Sequence, residues 1–473
     1  MESYFNENTI EDLLDEMTYV YKSDNRPWII GYSGGKDSTV VVTLAFKMLQ
    51  NLPEAERHKP LYIVSSDTMV ENPLIKQHLY ETLNAMEEAS KTEHLNVHVY
   101  PVKPSPSKSF WAYIIGRGYP TPKINGKFRW CTDRLKINPT SMKMQEIIDM
   151  SDEEVVMLLG VRKTESIARK KRIEKREIMG KLLNRHEVIE RAYVYNPIVE
   201  LTTDDVWSVL LSYNNGITPW GVDNTNLFNL YGKADSECPF ATEIKKGEQT
   251  ESCGKSRFGC WVCTVVKEDK SLNGFIKSGH HELVPLAEFR RWLIDIRDIP
   301  EYRAEKRRDG IVGRGPFTWE ARQMILRRLL ETQRELFEEF GATEPLITLD
   351  ELKAIDQIWD DELDLSRRTL VDLYYDVIGE RLPWDDYKRP LFDQETQKLL
   401  EESCKEAKLP YDLLTSLVLT TTKNKNYSNP KILRDKLNKI LNQQWLHKEE
   451  IDKIDAMDTT KEIIDYDSKE NNS

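Results

Sequence analysis

Residues 31–39 read Gly-Tyr-Ser-Gly-Gly-Lys-Asp-Ser-Thr, a set of types suited to holding phosphate. Paired glycines let the backbone approach an anion closely, and the N–H groups of a tight turn opening a helix face negative charge. Tyr32, Ser33, Gly34, Gly35, Lys36, Asp37, Ser38 and Thr39 are the candidate binding residues of this cradle. Lys36 can neutralise charge that develops on a departing phosphate group. Asp37 reads either as an oxygen ligand for Mg2+ beside the phosphates or as a carboxylate at a helix start. The spacing is not that of the G-x-x-x-x-G-K-[ST] loop.

Thiols form the second set. Cys238, Cys253, Cys260 and Cys263 are spaced C-x14-C-x6-C-x2-C. Four thiolates in one module can complete a tetrahedral zinc site or hold an iron–sulfur cluster, and their softness suits either metal. Cys131 stands apart between Arg129 and Arg134. Nearby cations lower a thiol's pKa, so Cys131 is expected to be activated, as a sulfur relay or an extra ligand; the alternative is a partly buried structural thiol. Cys404 has no partner motif and reads as structural.

The elements that must position these residues alternate. Strand-like runs at 27–32, 61–66, 96–102, 155–161 and 193–199 are separated by helical patterns such as 38–50 and 73–91, after an amphipathic segment at 10–22. This predicts an α/β fold with a doubly wound, mostly parallel sheet, in which ligands sit at the carboxyl ends of strands. The cradle follows the first strand and Ser66-Asp67-Thr68 follows the second. From 285 onward the pattern is largely helical. The expected organisation is a nucleotide-binding domain over 1–235, a four-cysteine module over 236–265, a mainly helical region over 266–455 and a flexible tail over 456–473.

Charge limits the partners. The 473 residues carry a formal net charge of −12, so any contact with nucleic acid must use a local basic patch or a basic partner. Residues 162–191 hold eleven Lys/Arg against five Glu, either a solvated helix face or a contact for phosphates. Residues 343–402 hold seventeen Asp/Glu against seven Lys/Arg, a face suited to a basic partner or to water. Arg314 lies in a Gly-Arg-Gly-Pro turn and reads as a loop residue or a phosphate contact. No run approaches the ~18 apolar residues that span a bilayer, and the polar, acidic N-terminus is unlike a signal peptide. A cytoplasmic protein without membrane contact is expected, its cysteines used for metal or reactivity rather than disulfides.

Ser33-Gly34-Gly35-Lys36-Asp37-Ser38 resembles the PP-loop of the ATP pyrophosphatase superfamily, whose members split ATP at the α-phosphate. Three further stretches, Ser66–Glu71, Phe128–Pro139 and Gly160–Ser166, with Asn196-Pro197-Ile198 and Asp204–Trp207 downstream, resemble the phosphoadenosine phosphosulfate reductase branch over roughly residues 25–210. That resemblance implies an adenine-nucleotide site built by the loop, Asp67, Gly160 and Arg162, with Arg162 stabilising phosphate charge. It leaves Lys136 as either a second cation or half of a structural salt bridge.

Joined to a four-cysteine module and a long helical region, the pattern is similar to the DndC family of bacterial DNA phosphorothioation sulfurtransferases. The resemblance implies ATP and Mg2+ at the loop and a [4Fe–4S] cluster on Cys238, Cys253, Cys260 and Cys263, with zinc as the alternative. It also implies a cysteine desulfurase as sulfur donor, the Dnd-system proteins DndD and DndE as partners and DNA as substrate. The catalytic set it points to is Lys36, Asp37, Cys131 and Arg162. A tRNA thiolase, a phosphoadenosine phosphosulfate reductase and a nucleotide- and metal-binding scaffold are the other readings.

Overall fold

The computed structural model describes residues 2–123, 129–151, 153–176, 181–186, 189–235, 259–307, 311, 313–424 and 430–443. Six strands form one sheet: β1 (Trp28–Tyr32), β2 (Leu61–Ser66), β3 (Val97–Val102), β4 (Val155–Leu158), β5 (Asn184–Arg185) and β6 (Ala192–Tyr195). Their order is β3-β2-β1-β4-β6-β5. Every pairing is parallel except β5 with β6. The chain leaves β1 toward β2 and β3 on one side, then returns to place β4 on the other. The carboxyl ends of β1 and β4 therefore flank a topological switch point, where open α/β sheets bind ligands.

The chain splits into two compact units, one made of residues 1–104 and 125–284, the other of 105–124 and 285–473. The first holds the sheet with α1 (Ile10–Lys22), α2 (Lys36–Asn51), α3 (Pro73–Thr92), α4 (Asn138–Ser151), α5 (Ile167–Arg176), α6 (Thr203–Ser212), α7 (Asn224–Asp235) and α8 (Lys270–Lys277). Side chains alternate faces along a strand, so β1 feeds two cores. Trp28 and Ile30 join Val40, Val41 and Leu44 of α2 and Val206 of α6 on one face. Ile29 joins Ile147 and Ile148 of α4 on the other. Burial on both faces explains why the strands read as continuous apolar runs. A capping box at Thr9 and Asp12 starts α1.

The second unit contains α9 (Val284–Ile296), α10 (Trp319–Phe340), α11 (Leu349–Glu362), α12 (Thr369–Ile378), α13 (Gln394–Ala407), α14 (Tyr411–Asn424) and α15 (Pro430–Leu441). Residues 105–124, which composition alone assigns to the nucleotide-binding part, pack here instead. The Trp111 indole donates to the Leu346 carbonyl at 2.9 Å, and Trp359 donates to the Ile115 carbonyl at 3.0 Å. Arg322 donates to the Gly116 carbonyl at 3.0 Å. Residues 266–284, expected with the helical region, belong to the first unit. Cys404 is buried in α13. Residues 456–473 lie outside the described residues. No helix among the described residues is long and apolar enough to cross a membrane.

Candidate functional site

The cradle lies between β1 and α2, as its sequence suggests. Gly34 has φ +72°, a backbone conformation that side chains oppose. Gly35 caps α2 and has no side chain to satisfy the N–H groups of the first turn, which leaves that turn facing a ligand. The hydroxyls of the motif shape the loop from within. Ser38 Oγ accepts from the Ser33 N–H at 3.2 Å and donates to the Gly35 carbonyl at 3.0 Å. Thr39 Oγ1 donates to the same carbonyl at 2.9 Å. Tyr32, expected at the ligand, is instead a core residue at 2% exposure; burial pushes its hydroxyl up to about 12.

Arg162 reaches the cradle from the loop after β4, which ends at Leu158 rather than at 161. The guanidinium is 2% exposed and donates through Nε to Asp37 Oδ1 at 2.6 Å. Its Nη1 donates to Thr164 Oγ1 at 2.8 Å, Thr203 Oγ1 at 3.3 Å and the Leu201 carbonyl at 3.4 Å. Lys36 Nζ stands 3.3 Å from Asp37 Oδ2. Both oxygens of Asp37 are thus engaged by cations. Its carboxylate is the anion that holds Arg162 and Lys36 at the loop, and its two oxygens keep further lone pairs with which Asp37 could also meet Mg2+. Gly160 explains how β4 comes so close: a Cβ there would lie 2.9 Å from the Asp37 carbonyl carbon and 3.0 Å from the Ser38 nitrogen.

Asp67 sits at the end of β2 at 2% exposure. Its Oδ1 accepts from the Met69 N–H at 2.7 Å and its Oδ2 from the Tyr80 hydroxyl at 2.8 Å, with Lys103 Nζ 3.6 Å away. These bonds hold Met69 at φ +67° and fix the loop 67–72. That loop meets the cysteines. Glu71 bridges Cys260, the Trp261 N–H donates to the Val70 carbonyl at 3.0 Å, and the Cys263 N–H donates to the Cys260 carbonyl at 3.0 Å.

Cys260 meets that loop, with Lys136 beside it. Cys131 begins a π-helical turn, Thr132–Ile137, of a kind frequent at functional sites. Cys131 and Cys263 are near enough for the charge of one to bear on the other, as are Cys260 and Cys263. Thr68 Oγ1 lies 3.2 Å from Cys260 Sγ. Lys136, on the same π turn, pairs with Glu71 Oε1 at 3.1 Å. Burial opposes its charge, but Cys260 and Glu71 together raise its pKa above the ordinary lysine value. Burial and then Glu71 push the Cys260 thiol up, against Lys136.

The expected activation of Cys131 by Arg129 and Arg134 is reversed, because burial and the Cys263 charge hold its thiol above the ordinary value. Cys238 and Cys253 lie outside the described residues. Among the described residues no group of three His, Cys, Asp or Glu stands in metal-holding geometry. The donor chemistry nevertheless fits a soft metal or an iron–sulfur cluster. Cys131 and Cys260 both feel the Lys136 ammonium, and Cys263 lies close to each of them.

One site residue has no signature in the sequence. Tyr231, on α7, brings its hydroxyl to the Lys36 backbone N–H at 3.3 Å, and its ring stands 5.2 Å from Lys36 Nζ.

The profile of the phosphoadenosine phosphosulfate reductase domain matches residues 27–265, a span that holds the cradle and the thiols. The chain belongs to that family. The family region thus joins both halves of the site, while most of the second unit lies beyond it. Among its relatives is the uncharacterized protein MJ0973 of Methanocaldococcus jannaschii, 24% identical over 273 residues that cover 58% of this chain and 48% of the relative. MJ0066 of the same organism is 27% identical over 166 residues, covering 35% of this chain and 29% of the relative. The chain thus spans less than half of the length of these relatives. Among solved structures, the phosphoadenylyl-sulfate reductase of Candida auris in its phosphate complex is 14% identical, with 45% of this chain and 82% of that chain covered at a TM-score of 0.26. The U34-tRNA thiolase NcsA of Methanococcus maripaludis, with its [4Fe-4S] cluster, is 11% identical, with 61% and 82% covered at 0.25.

Proposed function

We propose that this protein is an ATP pyrophosphatase that inserts sulfur into the DNA backbone. The observation that carries the reading is the pairing of the cradle with Arg162 at the β1–β4 switch point, one strand away from the loop where Glu71 bridges Cys260 and pairs with Lys136. A non-bridging phosphate oxygen is a very poor leaving group. Attack by that oxygen on the α-phosphorus of ATP expels pyrophosphate and leaves the oxygen bonded to AMP. Sulfur at the sulfide level then attacks the DNA phosphorus; the bond to the AMP-linked oxygen breaks, AMP departs and a phosphorothioate remains. The loop N–H groups and Lys36 hold the pyrophosphate, and the buried guanidinium of Arg162 stabilises the charge that develops as it leaves. Pairing with Asp37 keeps that guanidinium oriented before the substrate arrives.

An iron–sulfur cluster, which Cys238, Cys253, Cys260 and Cys263 would hold, would supply sulfide chemistry when bound. A cysteine desulfurase is the sulfur source in this reading; an external thiol reduces its persulfide sulfur by two electrons to the sulfide level and leaves as the disulfide, and DndD and DndE are the partners that handle DNA. The DNA acceptor rests on the likeness of the loop, the reductase-type motifs and the cysteine module to the DndC family. The α5 helix supports a phosphate-bearing acceptor: six of its ten residues are Lys or Arg, it begins five residues after Arg162, and Lys170 and Lys171 are exposed.

The test is product analysis of ATP consumed by the full chain with a DNA duplex and a desulfurase. AMP and pyrophosphate in equal amounts, abolished by Lys36→Ala, are expected. ADP and phosphate, or no turnover in any partner mixture, would leave a nucleotide-binding scaffold as the reading.

A further inference from the structure

We infer that Tyr231 is a hydroxyl plug in the anion cradle, one that pyrophosphate must displace, and that its displacement moves the helices flanking the Cys260–Cys263 pair. The inference rests on the reading of the cradle as a phosphate site. The Lys36 N–H is one of the first-turn donors left for a ligand, and it donates to the Tyr231 hydroxyl at 3.3 Å. A Cβ built on Gly35 would stand 3.2 Å from the same oxygen. The hydroxyl therefore occupies space directly over both residues whose backbone should meet a phosphate oxygen. The ring faces Lys36 Nζ at 5.2 Å, within the range of a cation–π contact, and Trp207 supports it edge-on at a centroid distance of 5.3 Å. A neutral phenol can substitute for an anion here because it offers one acceptor oxygen, but it brings no charge to Lys36 or Arg162. Pyrophosphate replaces that one bond with several charge-assisted bonds.

The connection to the thiols is mechanical. Gly274 of α8 lies against the end of α7, where a Cβ would fall 2.4 Å from the Lys233 carbonyl oxygen and 2.5 Å from that of Ala234. The two helices touch backbone to backbone, so α7 cannot shift without carrying α8. Chain order places Cys260 and Cys263 between them. Nucleotide occupancy would thereby be reported to the sulfur-handling segment, and the loop would be closed by tyrosine when no nucleotide is present.

The experiment is titration of the full chain, purified anaerobically with its metal content retained, with inorganic pyrophosphate by calorimetry. Wild type and Tyr231→Phe are compared, with Lys36→Ala as the control for the cradle. Phe keeps the ring against Trp207 and removes only the plug oxygen. Y231F is expected to bind pyrophosphate about fivefold more tightly, the factor an ordinary neutral hydrogen bond supplies. In wild type, pyrophosphate should change the rate of alkylation of Cys260 and Cys263 at least about twofold, and that change should be smaller in Y231F. Equal affinity in the two proteins would overturn the plug, and weaker binding by Y231F would make Tyr231 a phosphate ligand instead. No binding by wild type and Y231F alike would overturn the phosphate reading of the cradle itself, and the plug with it.

Discussion

Arg162 and Asp37 form an interaction whose removal should be felt twice. The guanidinium is buried and donates to Asp37, two hydroxyls and a carbonyl. Breaking such a pair costs about 3–5 kcal/mol, so Arg162→Ala should lower the denaturant midpoint of the first unit and abolish nucleotide binding. Arg162→Lys should recover part of the stability but little of the binding, because a single ammonium cannot reproduce the fork. Cys263→Ser should reduce the iron of the proposed cluster, whereas Cys404→Ser should leave it unchanged; iron and sulfide analysis after anaerobic purification reads both. The cradle is legible in the sequence because its chemistry is local, nine residues running from strand to helix. Tyr231 and Lys36 are 195 positions apart, and Lys136 meets Glu71 only because a π turn and the loop after β2 converge. Neither meeting has a local pattern, and neither does the burial that raises the Cys131 thiol.

Elements bring these residues together through close approaches and local charge. Gly160 lets the end of β4 lie on the backbone of the cradle. Gly160→Ala would force a Cβ to within 2.9 Å of Asp37, and ATP affinity should fall about tenfold or more, the equivalent of ~1.4 kcal/mol, with the fold retained by circular dichroism. The α5 helix concentrates positive charge, with six Lys or Arg in ten residues. Ile167, Lys170, Lys171, Ile173, Glu174 and Lys175 are all at least partly exposed, and a polar ten-residue helix is marginal by itself, so a polyanion along it would offset its own repulsion. Reversing Lys170 and Lys171 to Glu should weaken binding of a DNA duplex. The slope of log K against log salt should become shallower by about 2, since each neutralised phosphate contributes ~0.9. An unchanged slope would return α5 to a solvated face. The strand–helix alternation is legible to within a few residues because both sheet faces are buried. The placement of 105–124 is not, because Trp111 and Gly116 find their partners more than 200 residues away.

At the scale of the molecule, the second unit carries its own pH dependence. Asp356 and Asp360 share Lys388, each at 2.7 Å. Burial raises both carboxyls, Asp360 to about 6, against the pull of Lys388. A raised carboxyl means that the folded state binds more protons than the unfolded chain, so its contribution is most favourable in acid and fades as pH rises from about 4 through about 6. Asp360→Asn should therefore stabilise the protein at pH 7 by up to about 2–3 kcal/mol and make little difference at pH 4, measured by the denaturant midpoint of the full chain. The net charge of −12 repels DNA from the molecule as a whole, so the proposed duplex substrate would have to be presented by a partner or held locally at α5. DNA or tRNA as the acceptor of sulfur is the point on which the proposed function turns. Mass spectrometry of nuclease-digested DNA from cells that express this chain with a cysteine desulfurase and the proposed DNA-handling proteins separates DNA from tRNA as the acceptor. Phosphorothioate-linked dinucleotides that vanish with Lys36→Ala are predicted; their absence, with thiolated tRNA in their place, would contradict the account.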